Sequence, residues 1–339
     1  MILATIRLKR KVKIVYSDLP FLVSLVFIAL GLWVLAWSAN RFVDASGALA
    51  INLGVPPFII GMVVIGFGTS APELAVSAIS AASGHSEIAL GNAWGSNIYN
   101  IAIILGVAAI ISPIIVRPLS AIYSSIMLIA ISIVSGALAW FGGWISRLDA
   151  VILLLLFASL LPVSCWLEKQ SGSESNGECK TVSVSYPWLV ALFSLILLVG
   201  SSHILVWGAV DLARHFHVSE LLIGLTIVAA GTSLPELASA IAAARKGQHD
   251  FVVGNIVGSN FFNALAVVGL SGAIEPFITP MAVLTRDFPA MIILSLSIAL
   301  FAYKRGALRS QSMIGKLKGA LWVASFLVYL TILIYQEST

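Results

Sequence analysis

Read from its N-terminus, the chain alternates long apolar runs with short polar breaks. A spanning helix needs about 20 apolar residues. Runs of that order cover residues 20–40, 57–83, 87–111, 119–141, 147–167, 187–211, 219–244, 250–274, 281–302 and 317–335. The pattern predicts an all-α polytopic membrane protein of about ten transmembrane helices. One stretch is both long and polar, EKQSGSESNGECKTVSVSY at 168–186. It reads as a linker loop dividing the chain into two membrane halves, 20–167 and 187–339, of about five helices each. A basic tail, residues 1–19 with Arg7, Lys9, Arg10, Lys11 and Lys13, precedes the first run. Tail and run together resemble a signal peptide. The length of the run, and the comparable helix that opens the second half at 187–211, favour a retained first span.

Composition narrows the class. Of 339 residues, 59% are hydrophobic and 10% are charged, against about 25% charged in soluble domains. The mean hydropathy is +1.03. A folded surface must face its solvent, and a water-soluble globule of this length could not hide so much apolar area. A cytosolic enzyme and a disordered chain are excluded. The net charge of +4 comes mostly from two short basic stretches, which suit a negative membrane face and not a nucleic acid. Lys and Arg divide almost evenly between the two sides of a ten-helix arrangement. The slight excess opposite the termini favours external ends, while the basic tail argues the other way. Cys165 and Cys179 have no metal-type spacing and read as incidental thiols.

The strongest feature is self-similarity. Residues 55–113 align with 218–276 without a gap, and about 20 positions are identical. The first copy reads GFGTSAPELA, then GNAWGSNIYN, Gly106 and Pro113; the second reads AAGTSLPELA, then GNIVGSNFFN, Gly269 and Pro276. With an odd number of helices per half, the two copies enter the membrane in opposite directions. The architecture expected is two inverted five-helix repeats, as in secondary transporters whose sites lie at the repeat interface.

The repeated residues suggest chemistry. Glu73 and Glu236 sit within apolar helices, where an ionisable group is costly and usually functional. Together they could offset a divalent charge; the structural alternative is a pair of protonated carboxyls that glue helices. Pro72 and Pro235 precede them. A helical proline removes an N–H and clashes with the carbonyl four residues earlier. That frees carbonyls around Gly66–Thr69 and Ala229–Thr232, and hard cations accept such oxygens. Thr69, Glu73 and Ser77 share one helix face; Thr232 and Glu236 repeat this, but Ala240 takes the third place, so Ser77 reads as a packing hydroxyl. Ser70 and Ser233 lie beside the breaks. In the next helix Asn92, Ser96 and Asn100, matched by Asn255, Ser259 and Asn263, form a polar stripe of neutral oxygen donors. Gly91 and Gly95, like Gly254 and Gly258, have the GxxxG spacing that lets backbones approach. One face could then press on the broken helix while the stripe meets a glutamate. For Asn92, Asn97, Asn255 and Asn260, ordinary interhelical hydrogen bonding is an equal alternative. Glu87 and Asp250, and Asp44, Asp149 and Asp211, lie near predicted helix ends and read as surface features.

With these residues in view, the chain resembles the cation/Ca²⁺ exchanger superfamily, and in particular the sodium/calcium antiporters of bacteria and archaea. GTSAPE (68–73) with GNAWGSNIYN (91–100), and GTSLPE (231–236) with GNIVGSNFFN (254–263), look like its two α-repeats. The resemblance implies that Ca²⁺ and Na⁺ compete for one central site. It implies Glu73 and Glu236 as main Ca²⁺ ligands, completed by the backbone carbonyls of Thr69 and Thr232. Gly66, Ser70, Ser96, Ala229, Ser233 and Ser259 would help hold Na⁺, and Asn100 and Asn263 would line the centre. It also implies an integral protein of a bacterial inner (plasma) membrane, with external termini and a cytoplasmic 168–186 loop; the basic tail departs from that pattern. Potassium-dependent relatives carry Asp at the place of Asn263, so K⁺ co-transport is disfavoured here. Proton-coupled relatives carry an acidic residue shortly after their GN pair, where this chain has Gly95 and Ser96.

The function expected is Na⁺/Ca²⁺ antiport by alternating access, with H⁺/Ca²⁺ (or other divalent cation) antiport as the alternative. Ca²⁺, Na⁺ or H⁺ and the lipid bilayer are the partners expected; nothing points to a nucleic acid, an obligate protein partner or a cofactor. An intramembrane metalloenzyme fails for want of an HExxH pattern, and paired inverted repeats with broken helices favour a transporter over a passive channel.

Overall fold

In lipid a backbone can satisfy its N–H and C=O groups only internally, so long apolar runs must become helices. The computed structural model describes residues 21–82, 84, 87–116, 118–170, 184–216, 229–303 and 312–338. Helix α1 spans Phe21–Leu53. A bent pair follows, α2 (Pro57–Thr69) and α3 (Ala71–Ala82), meeting at 43°. Then come α4 (residues 87–111), α5 (Pro118–Phe141) and α6 (Arg147–Gln170). The second half begins with α7 (Pro187–His215), then α8 (Ala229–Thr232) and α9 (Leu234–Arg245). It ends with α10 (His249–Ile274), α11 (Val283–Ala302) and α12 (Lys316–Ser338).

Among the described residues, seven helices are long and apolar enough to cross a membrane, and the α2/α3 pair makes an eighth. Of the remaining expected spans, α6 has 24 residues but is not among these, and the first part of 219–244 lies outside the described residues. The basic tail and most of the polar loop lie outside them too. Helix α6 runs to Gln170, so the loop begins later than its polarity suggests. Helix α1 likewise outruns its apolar stretch. Past Asn40 it still buries Phe42, Val43, Ala45, Ala48 and Ala50, and Lys246 Nζ donates there to Asn40 O (2.7 Å) and to Asp44 Oδ1 (2.7 Å).

Among the described residues, four short strands were not expected from the helical pattern. β1 (Ile114–Val116), between α4 and α5, pairs antiparallel with β4 (Ser312–Ile314), between α11 and α12. β2 (Trp144–Ile145), between α5 and α6, pairs with β3 (Phe277–Ile278), between α10 and α11. The 24 residues of α5 separate β1 from β2 by about 36 Å, so the two ribbons mark opposite ends of the bundle. β1 and β3 occupy equivalent places in the duplicated sequence yet lie at opposite ends.

Helix α10 runs through the centre and is buried along its apolar window. Around it stand α2/α3, α4 and α9. Helices α1 and α7 pack on each other, with Gly31 against Leu205 and Gly208 against the Ser24 carbonyl. Ser24 Oγ donates to Asp211 Oδ2 in that interface, and Asp211 is buried. That corrects the surface reading of Asp211: α7 extends beyond its apolar run to His215, which places the aspartate inside a helix packed on α1.

Candidate cation site

The site begins at the breaks. In α2 the stretch Gly61–Gly66 is π-helical. The helix ends at Thr69, Ser70 turns the chain, and α3 starts with Ala71-Pro72-Glu73. Pro72 has no N–H, so the Gly68 carbonyl lacks its regular helical donor. Pro235 does the same to Gly231. There α7 intervenes, because Ser202 Oγ donates to the Gly231 carbonyl (2.9 Å). Carrying the same offset of 163 beyond the duplicated segment places Ala39 opposite Ser202, and alanine has no side-chain donor.

The two glutamates are both 0% exposed, and each is held by the opposite half. Ser233 Oγ donates to Glu73 Oε1 (2.9 Å), and Ser70 Oγ donates to Glu236 Oε1 (2.8 Å). The second oxygen of each, Glu73 Oε2 and Glu236 Oε2, is buried without a hydrogen-bond partner. A buried acceptor without a donor is costly, and two such carboxylate oxygens at one repeat interface fit a cation substrate.

Helix α10 presses its backbone on α2. A Cβ on Gly258 would lie 2.3 Å from Met62 O, and one on Gly254 would lie 2.4 Å from Phe58 O. Glycine is required here, as the GxxxG spacing suggests. The approach lets Ser259 Oγ donate to the Gly66 carbonyl (3.0 Å), which also accepts Ser70 N (3.2 Å). Thr69 Oγ1 donates mainly to Ile65 O (2.8 Å) and reaches Asn255 Oδ1 at 3.4 Å. For Gly91 and Gly95 no atom of the described residues lies within 4 Å of a built Cβ. Most of the segment equivalent to α2 (220–232), residues 220–228, lies outside those residues.

The asparagines divide into two roles. Asn92 Nδ2 donates to Ser77 Oγ (2.9 Å) and to the Glu73 carbonyl (3.3 Å). Asn255 Nδ2 donates to Ser239 Oγ (3.2 Å) and to the Glu236 carbonyl (3.2 Å). These two brace the glutamate backbones, the interhelical hydrogen bonding that was the equal alternative for them, and their bonds do not go to the carboxylates. Asn100 and Asn263 are buried further along, where π-helical segments Asn100–Leu105 and Phe262–Val267 interrupt α4 and α10. Asn100 Oδ1 and both amide atoms of Asn263 have no partner. Ser96 is buried. Thr232 closes α8, and Ala229 opens it.

Two residues escaped the sequence pattern. Ser239 takes the part of Ser77 although Ala240 is the aligned position; a hydroxyl one position earlier on the helix meets Asn255, the counterpart of Asn92. Ser202 was invisible because it lies in α7, outside the duplicated segment. Asking which hydroxyl could reach the carbonyl that Pro235 frees would have been the signal for it.

The profile of the sodium/calcium exchanger protein family matches residues 23–166 and 186–335. The chain is similar to the candidate antiporter CaxA of Alkalimonas amylolytica, 37% identical over 317 residues, covering 91% of this chain and 98% of that one. It is similar to the inner membrane protein YrbG of Escherichia coli (strain K12), 35% identical over 324 residues, covering 92% and 97%. A solved structure of the sodium-calcium exchanger NCX_Mj superposes with a TM-score of 0.78 at 30% identity, covering 92% of this chain and 99% of that one.

Proposed function

The chain belongs to the sodium/calcium exchanger family, and from that premise we propose that it exchanges Na⁺ for Ca²⁺ by alternating access. Both ions compete for one site built around Glu73 and Glu236. The observation that carries this reading is the reciprocal carboxylate pair. Each glutamate is buried, each is fixed through one oxygen by a serine of the other half, and each keeps a second oxygen unpartnered.

Ca²⁺ takes about 6–8 oxygen ligands. The two Oε2 atoms, the carbonyls of Thr69 and Thr232, and the amide oxygens of Asn100 and Asn263 supply such a set. Gly66, Ser70 and Ser96, with Ala229, Ser233 and Ser259, offer the neutral carbonyl and hydroxyl oxygens that suit Na⁺. Asn263 adds no charge, so two carboxylates balance one Ca²⁺. The two halves, 20–167 and 187–339, act as inverted repeats whose relative motion opens the site to either face. The protein resides in a bacterial inner membrane, with its termini external and the 168–186 loop cytoplasmic.

The test is ⁴⁵Ca²⁺ uptake into proteoliposomes loaded with Na⁺ and diluted into Na⁺-free buffer, with a pH gradient as a parallel arm. Uptake driven by Na⁺, lost in Glu73→Gln and in Glu236→Gln, is the expected result. Uptake driven only by the pH gradient would assign proton coupling. Unchanged flux in both variants would remove the glutamates from the site.

A further inference from the structure

Where α4 crosses α10, two hydrogen bonds join three asparagines and leave a fourth, Asn263, out. Asn100 Nδ2 donates to Asn260 Oδ1 (3.0 Å), and Asn97 Nδ2 donates to the Asn260 carbonyl (3.1 Å). The duplication pairs Asn97 with Asn260 and Asn100 with Asn263. The mirror bonds would therefore run from Asn263 Nδ2 to Asn97 Oδ1 and from Asn260 Nδ2 to the Asn97 carbonyl. Neither is present. Asn263 Nδ2, Asn97 Oδ1 and Asn260 Nδ2 are all buried without partners. These are the side-chain atoms that the two missing bonds need. Flipping the Asn263 amide does not help, because its oxygen is idle as well. Idle buried amides are rare, and here they form a matched set.

The chemistry gives the set a purpose. An amide that ligates a cation must present its oxygen and keep its NH₂ turned away. The two ends are nearly equal in size, so only an acceptor held on the NH₂ side decides between them. Asn260 Oδ1 is that acceptor for Asn100. Asn97 Oδ1 has the same place in the other repeat and holds nothing in this structure. Asn100 and Asn263 both lie in π-helical segments, the kind of helix irregularity that gathers at functional sites.

We propose that Asn97 and Asn260 are positioning residues that act in alternation. Asn260 aims the Asn100 oxygen in the state seen here. Asn97 aims the Asn263 oxygen when the site faces the other side of the membrane. The inference rests on the exchange reading above, because inverted repeats that trade roles trade faces as well.

The test is Na⁺-driven ⁴⁵Ca²⁺ transport in right-side-out and inside-out vesicles, reading the KM for Ca²⁺ at each face. Residues that orient a metal ligand typically change affinity by about 10–100-fold when removed. Asn260→Ala is expected to raise KM about tenfold at one face and to leave the other nearly unchanged. Asn97→Ala is expected to do the reverse. Because each residue acts through its ligand, Asn260→Ala adds nothing in an Asn100→Ala background, and Asn97→Ala adds nothing in Asn263→Ala. Equal shifts at both faces, no shift, or additive effects in those backgrounds would overturn the proposal. Should Asn260→Ala fail to fold, the near-isosteric Asn260→Leu removes the same acceptor without leaving a cavity or adding a charge; a KM equal to wild type at both faces then counts against the proposal. Wild-type vesicles without Na⁺-driven uptake would instead defeat the exchange reading itself.

Discussion

Substituting Gly258 by alanine tests whether the α2–α10 contact sets the site. The new Cβ would stand 2.3 Å from Met62 O and 2.7 Å from Met62 Cα. Ordinary contact needs 3.4 Å or more, so the two backbones must part by about 1 Å. The obstructing atoms are backbone and cannot rotate aside. Overpacking of this kind costs about 1–3 kcal/mol. The larger effect is on position. Ser259 follows Gly258 directly, and its bond to the Gly66 carbonyl, 3.0 Å long, does not survive such a separation. A misplacement of about 1 Å can cost about 10²-fold in a positioned site. Gly258→Ala is expected to lower Na⁺-driven ⁴⁵Ca²⁺ uptake by about 10–100-fold and to lower the midpoint of thermal unfolding. Gly200→Ala in α7 is the control: Gly200 is exposed, and a Cβ there meets nothing within 4 Å among the described residues. Alanine in that helix should be neutral or stabilising by up to about 1 kcal/mol. Uptake by Gly258→Ala at the wild-type rate would refute the view that backbone contact positions the ligands.

Ser202→Ala leaves the Gly231 carbonyl without its hydroxyl donor; a loss of about 1–3 kcal/mol and a higher KM for Ca²⁺ are expected from denaturation and uptake, and an unchanged KM would make Ser202 purely structural. Lys246→Ala removes a partly exposed ion pair with Asp44. It should cost less than about 1 kcal/mol, with a difference from wild type that shrinks as salt rises; a large, salt-independent loss would contradict the assignment.

Much of this arrangement was legible in the chain because lipid permits so few backbone solutions. Apolar runs placed the helices within a few residues, from 87–111 to 250–274. The duplication paired Ser70 with Ser233 and Glu73 with Glu236. What stayed hidden is where each side chain goes. The alignment equates Ser70 with Ser233, but it does not say that each would cross to the other half's glutamate. The stripe at Asn92, Ser96 and Asn100 looks uniform along one helix face, yet Asn92 meets a backbone carbonyl while Asn100 reaches α10. π-helical segments carry no hydrophobic period of their own, so Asn100–Leu105 and Phe262–Val267 were unforeseen. Asp211 looked terminal because its helix outlasts the apolar run that marked it.

The crossing of those serines bears on why the exchange would be coupled. A duplicated half could have built two independent sites, one per repeat. Here each half's glutamate takes its hydroxyl donor from the other, so on the exchange reading the two carboxylates make one site that both halves complete. On the exchange reading, the halves can change their relation freely only when the two charges between them are neutralised. The carboxylates stay in place as the halves move, but occluding one from water without a counter-charge costs about 2.5–3.5 kcal/mol on the scale of helix-centre insertion. Two of them raise the barrier by about 5–7 kcal/mol, which slows the empty transition about 10⁴–10⁵-fold. Either one Ca²⁺ or several Na⁺ removes that penalty, and each must leave before the other can bind. Tight coupling then needs no separate gate against the empty carrier; it follows from placing both carboxylates where neither half can neutralise them alone.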